Sequence, residues 1–338
     1  MKQRSYFFSI LIPVCGAEST LRPCIDSVHG QDEQDFEIVL VDDGSTDGSG
    51  ALCDEYAGRY PEKIRVIHRE NGGLLSARRE ALRAAKGDWF VHLDSDDWML
   101  PGALSDIRRA AEGQDADLVL CKAAYGNEAG TGVERESALP FKNLEVFEDK
   151  HKLYMQFLYG GQLTAIWQKI ARRDIVDLSA DYTPLYGVSI MEDHLQSLPL
   201  LDRSRRPVFL ERPVVYYRAS SSGMTRQKTF DSTLAAYSSI RAVYAEEKAY
   251  REKWGLTDAE NRLVCAKHIK AFYRLVENAY RLADDESRRF SFLREVAGDP
   301  LVREEYRTAD WKEAGPHVLL CFRLIFRGKY SMLRILFR

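Results

Sequence analysis

The run Leu93-Asp94-Ser95-Asp96-Asp97 places three carboxylates within five residues, directly after the apolar-rich stretch Asp88-Trp89-Phe90-Val91-His92. Carboxylates this close repel and raise one another's pKa. A divalent cation between them removes that cost. Hard ions such as Mg²⁺ and Mn²⁺ prefer carboxylate oxygen and keep positions open for substrate phosphates. An isolated D-x-D-D reads equally well as a solvated acidic turn, so the rest of the chain decides. Upstream, the apolar run Val39-Leu40-Val41 ends in Asp42-Asp43, followed by Gly44-Ser45-Thr46-Asp47-Gly48-Ser49. A D-G turn opening a helix, with Asp47 or Ser49 as N-cap, accounts for Gly44, Ser45 and Asp47. It leaves the two adjacent carboxylates unexplained; they suit an imide N–H or a ribose hydroxyl. Asn71-Gly72-Gly73 reads as a turn before a helix capped by Ser76, with Arg78-Arg79 close behind. Cations belong at helix C-termini, which disfavours a solvated helix start. An arginine here would neutralise the Asp cluster or hold a diphosphate bidentately.

These residues need elements that bring them together. Tyr6–Ile12, Phe36–Val41, Ile64–His68, Trp89–Leu93 and Asp117–Lys122 read as strands, and Glu18–His29, Ser49–Arg59, Ser76–Ala85 and Pro101–Glu112 as helices. Short strands alternating with helices of about ten residues predict βαβ units and a parallel sheet. Such sheets bind ligands beyond the carboxyl ends of their strands. Pro13, Asp42-Asp43 and Asp94–Asp97 all lie at such ends and are expected to converge on one crevice. Gly126–Glu136 reads as a loop or hairpin tip, Lys150–Tyr159 and Glu192–Leu201 as helices, and Pro207–Tyr217 as two β-rich pieces. After Phe230 the pattern is helical only, clearest over Thr229–Trp254, Asp258–Leu282 and Ser287–Val296, which sets a boundary near residue 226.

Composition narrows the class. The 338 residues are 45% hydrophobic and 29% charged, ordinary for a globular chain. Residues 226–338 carry 22 Lys and Arg against 16 Asp and Glu, a net of +6, while residues 1–225 carry 26 against 35, a net of −9. The six cysteines have no C-x-x-C or zinc-ligand spacing and are expected to be buried free thiols in a reducing compartment. No apolar run is long enough for a membrane-spanning helix. Although the first residues superficially resemble a signal peptide, Phe7–Ile12 is expected to be the first buried strand. There is no G-x-G-x-x-G after the first strand and no G-x-x-x-x-G-K-[ST], which argues against a standard dinucleotide or P-loop site.

Ile10-Leu11-Ile12-Pro13-Val14, Val41-Asp42-Asp43-Gly44-Ser45-Thr46-Asp47, Asn71-Gly72-Gly73, Ser76-Ala77-Arg78, Gly87-Asp88 and Leu93-Asp94-Ser95-Asp96-Asp97 occur in this order. Over roughly residues 8–225 the ordered set resembles the signature of family 2 glycosyltransferases of the GT-A fold. The chain departs from that pattern in two places. Pro13-Val14-Cys15-Gly16 stands where Pro-Val-Tyr-Asn is usual, and Arg79 where Asn is common. The resemblance implies an α/β fold with a mixed, mostly parallel sheet flanked by helices and a C-terminal all-helical appendage. It implies a glycosyltransferase domain over 1–225, with 1–110 as the nucleotide-binding half and 111–225 as the acceptor half. It also implies roles: Pro13, Val14 and Asp43 in the nucleoside pocket, with Asp43 on the uracil; Asp94 and Asp96 holding ribose and a Mn²⁺ or Mg²⁺ ion; Asp97 adding a metal ligand or orienting Arg78. Asp42, Asn71, Ser95, Glu192 and Arg218 complete the expected nucleotide-sugar site.

In the second half, Met191-Glu192-Asp193-His194 matches the family's Glu-Asp pair, whose Asp acts as general base in inverting members. The plainer reading is helix N-terminal acids stabilised by the macrodipole. Tyr216-Tyr217-Arg218 and the following Ser220–Thr225 resemble a Tyr-x-Tyr-Arg segment with a mobile lid. Trp167 reads as either core or a sugar-stacking platform. The last stretch, 318–338, holds Arg323, Arg327, Lys329, Arg334 and Arg338 and no acids. On one helix its four arginines fall within a stripe of about 60°. This pattern reads as a basic amphipathic helix on an anionic membrane surface or as a helix packed on the domain, with Gly328 a point of kinking. Nucleic acid is not an expected partner, because no binding motif accompanies the charge.

The resulting expectation is an inverting transferase moving a sugar from a UDP-type donor to a glycan or lipid-linked hydroxyl. It would be cytoplasmic, peripheral on the inner membrane face. A sugar-nucleotide-forming nucleotidyltransferase is the first alternative, but it would want a Gly-rich basic loop after the first strand, where Pro13–Thr20 has none. A non-catalytic nucleotide-sugar binder and a scaffold recruited through its tail are the others.

Overall fold

A computed structural model describes residues 6–127, 132–218 and 228–337. The chain divides into two compact units. The first draws on 1–153, 162–187 and 196–221 and holds all the sheet structure; the second draws on 154–161, 188–195 and 222–338. The boundary near 226 is therefore crossed twice from upstream, once by the short stretch that contains Glu192, Asp193 and His194.

In the first unit, β1 (Phe8–Val14), β2 (Phe36–Asp43), β3 (Ile64–Arg69) and β4 (Trp89–His92) lie parallel in the order β3-β2-β1-β4. Helices α1 (Leu21–His29), α2 (Ser49–Arg59) and α3 (Leu74–Ala84) make the crossovers. β1 and β2 are buried at every position, as expected of strands covered on both faces. The sheet continues through β5 (Trp98–Met99), α4 (Ala103–Gly113), β6 (Leu118–Gly126), β7 (Val133–Glu136), β8 (Glu145–Val146), β9 (Lys169–Arg172) and β10 (Pro207–Arg218). β9 enters antiparallel between β4 and β6, so the sheet is mixed and mostly parallel, as the family resemblance implies, although the alternation of the first hundred residues did not locate this strand. Four residues are too few to carry a periodic signal. The two β-rich pieces predicted over Pro207–Tyr217 are one strand, β10, with its register broken between Leu210 and Val215 around Pro213. Of Gly126–Glu136, β7 pairs antiparallel with the end of β6, and residues 128–131 lie outside the described residues. Gly87 is required by a close approach: a Cβ there would lie 2.6 Å from backbone atoms of Phe8 and Ser9.

The second unit is helical. It includes parts of α5 (His151–Leu158) and α6 (Glu192–Arg203), then α7 (Phe230–Lys253), α8 (Asp258–Leu282), α9 (Glu286–Gly298), α10 (Pro300–Thr308), α11 (Trp311–Ala314) and α12 (Pro316–Phe326). Thr229 and Thr257 open α7 and α8 with reciprocal capping boxes. The tail is not one amphipathic helix. α12 stops at Phe326, Gly328 turns at φ +65°, and a 3₁₀ turn follows over Tyr330–Ile335. Its apolar side is already used: Val318, Cys321, Phe322, Ile325, Leu333 and Phe337 belong to the core of this unit. No helix of the described residues is long and apolar enough to cross a membrane.

The helical unit also buries a set of charges. Glu247 on α7 is fully buried, with Oε2 2.8 Å from His194 Nε2 and Oε1 3.2 Å from His268 Nε2 on α8. His268 Nδ1 lies 3.2 Å from Glu305 Oε2 on α10, and Arg251 Nη2 donates to Glu305 Oε1 at 2.5 Å. Burial opposes a charged His268, but Glu247 and Glu305 outweigh it and raise its pKa above the ordinary imidazole value. Burial pushes Glu305 up, yet His268 and Arg251 bring it down to about 2. Two carboxylates then face two cations, and the set is neutral only while His268 keeps its proton. Because His268's folded pKa is raised, its contribution to stability is complete below about pH 6.5 and is lost as pH rises through the raised value. We expect His268→Leu to cost about 3–5 kcal/mol near pH 6. Urea unfolding of both proteins should show the gap narrowing as pH rises; a gap constant from acid to alkaline pH would mean that His268 carries no charge here.

Candidate functional site

The strand ends of the first unit bring the acidic residues to one edge of the sheet. Register pairs Val14 with Asp42, Asp42 with His68 and Asp43 with Arg69. Leu93, one residue before Asp94, donates its amide to Leu11 of β1 at 3.0 Å. Asp43 is 3% exposed and closes the turn that precedes α3. Its Oδ1 accepts from the Gly72 amide at 2.9 Å, its Oδ2 from the Gly73 amide at 2.8 Å, and Arg69 Nε lies 3.1 Å from Oδ1. Gly44, at φ +71°, is forced by that turn, because a Cβ there would sit 2.8 Å from the Asn71 nitrogen. Asp42 accepts from the Ser45 amide at 3.1 Å and lies 2.8 Å from His68 Nδ1. Burial pushes its pKa up, but the bonds to Ser45 and His68 prevail and leave it below the usual carboxylate value. His68 Nε2 reaches Asp54 at 3.0 Å, and hydrogen bonds to Asp42 and Asp54 raise the imidazole's pKa. Arg69 and His68 escaped the sequence reading. The available signal was two acids ending one strand beside a His-Arg pair ending the next.

The turn held by Asp43 starts α3, and α3 carries Arg78 under the acidic run. Arg78 is 1% exposed, and its Nη2 lies 2.7 Å from Asp94 Oδ1. Arg79 is buried too: it donates to the carbonyls of Asp177, Leu178 and Ala180 at 2.9–3.1 Å and lies over the Tyr182 ring. A solvated helix start is thereby excluded for both. His92, beneath them, is pushed down to about 3 by burial, with Arg78 and Arg79 adding to the effect.

At the far side of the acidic run, Asp97 Oδ1 accepts from the Arg218 amide at 2.9 Å and Arg218 Nε donates to the Asp96 carbonyl at 3.1 Å. Asp97 thus ties the run to the end of β10. Its other oxygen is buried with no hydrogen-bond partner among the described residues. Burial, then Asp94 and Asp96, raise the Asp97 pKa well above the usual value; burial and Asp94 raise Asp96. The site therefore holds surplus negative charge and an unsatisfied acceptor, which fits a cation. Among the described residues no three His, Cys, Asp or Glu side chains form a set able to hold an ion unaided. Mg²⁺ needs only one or two carboxylates where phosphates complete its shell.

Cys15 is the one exposed cysteine, contrary to the expectation of six buried thiols; Asn71 Nδ2 lies 3.4 Å from its sulfur. Pro13 and Val14 are buried at the end of β1. Trp167 is core, 4% exposed and stacked at 6.3 Å from Tyr217. Tyr217 itself is 42% exposed near the acidic run. Ser220–Thr225 and Arg338 lie outside the described residues. Glu192 and Asp193 occupy the first turn of α6, half-buried, after Met191 at φ +65°.

A sequence model described as Glycosyl transferase family 2 matches residues 9–177. EpsH of Bacillus subtilis (strain 168) is 30% identical over 251 residues, covering 72% of this chain and 71% of that protein. EpsJ of the same strain is 28% identical over 244 residues, covering 68% and 69%. The fold is similar to the crystal structure of S. aureus TarS 1-349 in complex with UDP-GlcNAc, with a TM-score of 0.68 at 19% identity over 98% of this chain and 90% of that one.

The unequal partners of Asp94 and Asp96 separate stability from binding. Asp94→Asn removes the carboxylate that lies 2.7 Å from the buried Arg78 guanidinium and should cost about 1–3 kcal/mol. Asp96→Asn removes a carboxylate that burial and Asp94 already disfavour, so stability should hold or rise while donor affinity falls. Urea midpoints and calorimetric donor titration of both variants check this. Equal destabilisation by the two would remove the distinction.

Proposed function

The chain belongs to glycosyl transferase family 2, and from that footing we propose that it transfers a sugar with inversion from a UDP-sugar to a hydroxyl of a glycan or lipid-linked acceptor. The observation that carries the donor reading is the convergence at the sheet edge, where Asp43, its Asn71–Gly73 turn, Arg78 and Asp94 form one connected series. The complex of TarS with UDP-GlcNAc supports uridine as the first nucleotide to test. Pro13, Val14, Asp42, Asp43 and Asn71 surround the nucleoside in this reading. Asp94 and Ser95 bind ribose and sugar, and Arg78 and Arg218 support the diphosphate. Asp94 and Asp96 would hold Mn²⁺ or Mg²⁺, with Asp97 as a further ligand through the oxygen that has no partner among the described residues; bound there, the ion would neutralise charge gathering on the diphosphate. Asp193 takes the proton from the acceptor hydroxyl as it attacks the anomeric carbon, and Glu192 flanks the sugar. The bond to the departing UDP breaks as the new glycosidic bond forms on the opposite face.

The anionic-membrane reading of 318–338 needs a different face from the one the sequence suggested, because the apolar side is core. The opposite side has the right chemistry. Leu320 and Arg323 on α12 and Arg327 at its C-terminal cap follow helical spacing and are exposed, and Lys329, Met332, Arg334 and Ile335 are exposed just beyond. Basic residues around a few apolar side chains suit an acidic headgroup layer, which would keep the transferase beside a lipid-linked acceptor.

Thermal shift with UDP-, GDP-, dTDP- and CDP-sugars, with and without Mn²⁺, tests the donor class through binding linkage. Metal-dependent stabilisation by a UDP-sugar is expected; no response to any of them sinks the donor site. Asp193→Asn should lower kcat by about 10²–10⁴-fold with donor affinity kept, and near-normal turnover would remove Asp193 as base. Replacing Arg323 and Arg327 by Gln together should weaken binding to phosphatidylglycerol vesicles by about 2 kcal/mol, roughly thirty-fold. Unchanged partitioning in a sedimentation assay would refute the membrane contact.

A further inference from the structure

Asp193 sits where a helix is weakest. The first-turn amides have no intrahelical acceptors, and helix ends fray. The residue before α6 adds strain, since Met191 holds φ +65° without being glycine. Such a turn keeps its shape only if its surroundings impose it. The restraints come from the helical unit itself. The Ser189 amide donates to Ser239 Oγ on α7 at 3.2 Å, and Ile190 and Met191 pack against the unit's core. A further restraint is the residue after Asp193. The His194 ring is 3% exposed, stacked on Phe157 with centroids 4.2 Å apart and planes 17° apart, and its Nε2 lies 2.8 Å from Glu247 Oε2.

The tautomer follows from the contacts. His194 Nδ1 is buried and has no partner among the described residues. A proton there would be a buried donor without an acceptor, so the proton belongs on Nε2, donating to Glu247. Burial, only partly offset by Glu247, lowers the His194 pKa and agrees with a neutral ring. Neutrality matters next to a general base: a cation beside Asp193 would stabilise its carboxylate and lower its basicity. His194 tethers the turn by a directional bond and a flat stacking surface without adding that charge. Its anchor is itself buried and ion-paired: Glu247 Oε1 lies 3.2 Å from His268 Nε2 and 3.5 Å from Arg251 Nε.

We propose that His194 is the positioning residue for Asp193, transmitting the fixed geometry of the buried Glu247–His268–Glu305–Arg251 set to the first turn of α6. This rests on the reading of Asp193 as base. His194→Leu removes the donor to Glu247 and the planar stack, and it should lower kcat by about 10–100-fold. The donor dissociation constant and donor KM should stay unchanged. His194→Gln places an amide N–H near the position of Nε2 and should restore most of the loss. A merely structural histidine would change melting temperature without separating kcat from KM, and Gln would rescue no better than Leu. Wild-type kcat in His194→Leu, or a loss confined to donor binding, overturns the inference. Should His194→Leu fail to fold, Phe157→Leu decides: it loosens the ring without touching a charge, and a several-fold fall in kcat at constant donor affinity is expected, whereas unchanged kcat overturns the proposal. Asp193→Asn run in parallel separates the two ideas. Near-normal transfer by that variant defeats the base reading itself; an inactive Asp193→Asn beside a fully active His194→Leu defeats only the positioning role.

Discussion

A guanidinium buried beneath a row of carboxylates is the constraint on which the parallel strands of the first unit and α3 are built. Arg78 has almost no contact with solvent, and Asp94 is a charged partner at 2.7 Å. Removing a cation from water is costly, so the arginine demands that pairing. The requirement fixes the direction of α3, since Arg78 must reach the end of β4 from the helix's second turn. It also explains why the entry to α3 is so tightly drawn, with Asp43 holding two successive glycine amides and a third partner in Arg69. The same contacts that shape the backbone bring the acidic strand ends to one edge of the sheet.

The protein contains two dense groups of charge, and they differ in kind. In the helical unit the carboxylates of Glu247 and Glu305 are matched by Arg251 and a protonated His268, so the group is internally balanced. At the sheet edge the balance is left incomplete: Asp96 and Asp97 are both pushed toward protonation, and one Asp97 oxygen has no partner among the described residues. A balanced group stabilises a fold and the segments anchored on it. An unbalanced one is a standing cost that a bound cation relieves, and costs of this sort concentrate at functional sites.

The C-terminal stretch shows how one sequence pattern serves two surfaces. Its larger apolar residues close the core of the helical unit, while a smaller set, Leu320, Met332 and Ile335, remains outside among basic residues. Periodicity alone registers both sets as one amphipathic helix. Gly328 breaks that helix, and only packing tells which apolar residues have already found partners.

Much of the framework could be read directly. α2 and α8 lie where the residue pattern puts them, and the first four strands differ by a few residues at their ends, because burial on both faces writes continuous apolar runs and turn residues punctuate them. Family membership was also legible, since it resides in short ordered motifs at strand ends. The antiparallel entry of β9, the burial of Arg79 and of Trp167, the exposure of Cys15 and the pairing of Asp43 with glycine amides were not, because each depends on residues tens of positions away arriving at the same place. Local chemistry thus singled out the side chains proposed to bind a sugar nucleotide. Tertiary packing decided which of those side chains are already committed to holding the fold and which retain an unmet charge, since desolvation and partner distance exist only once the chain has closed on itself.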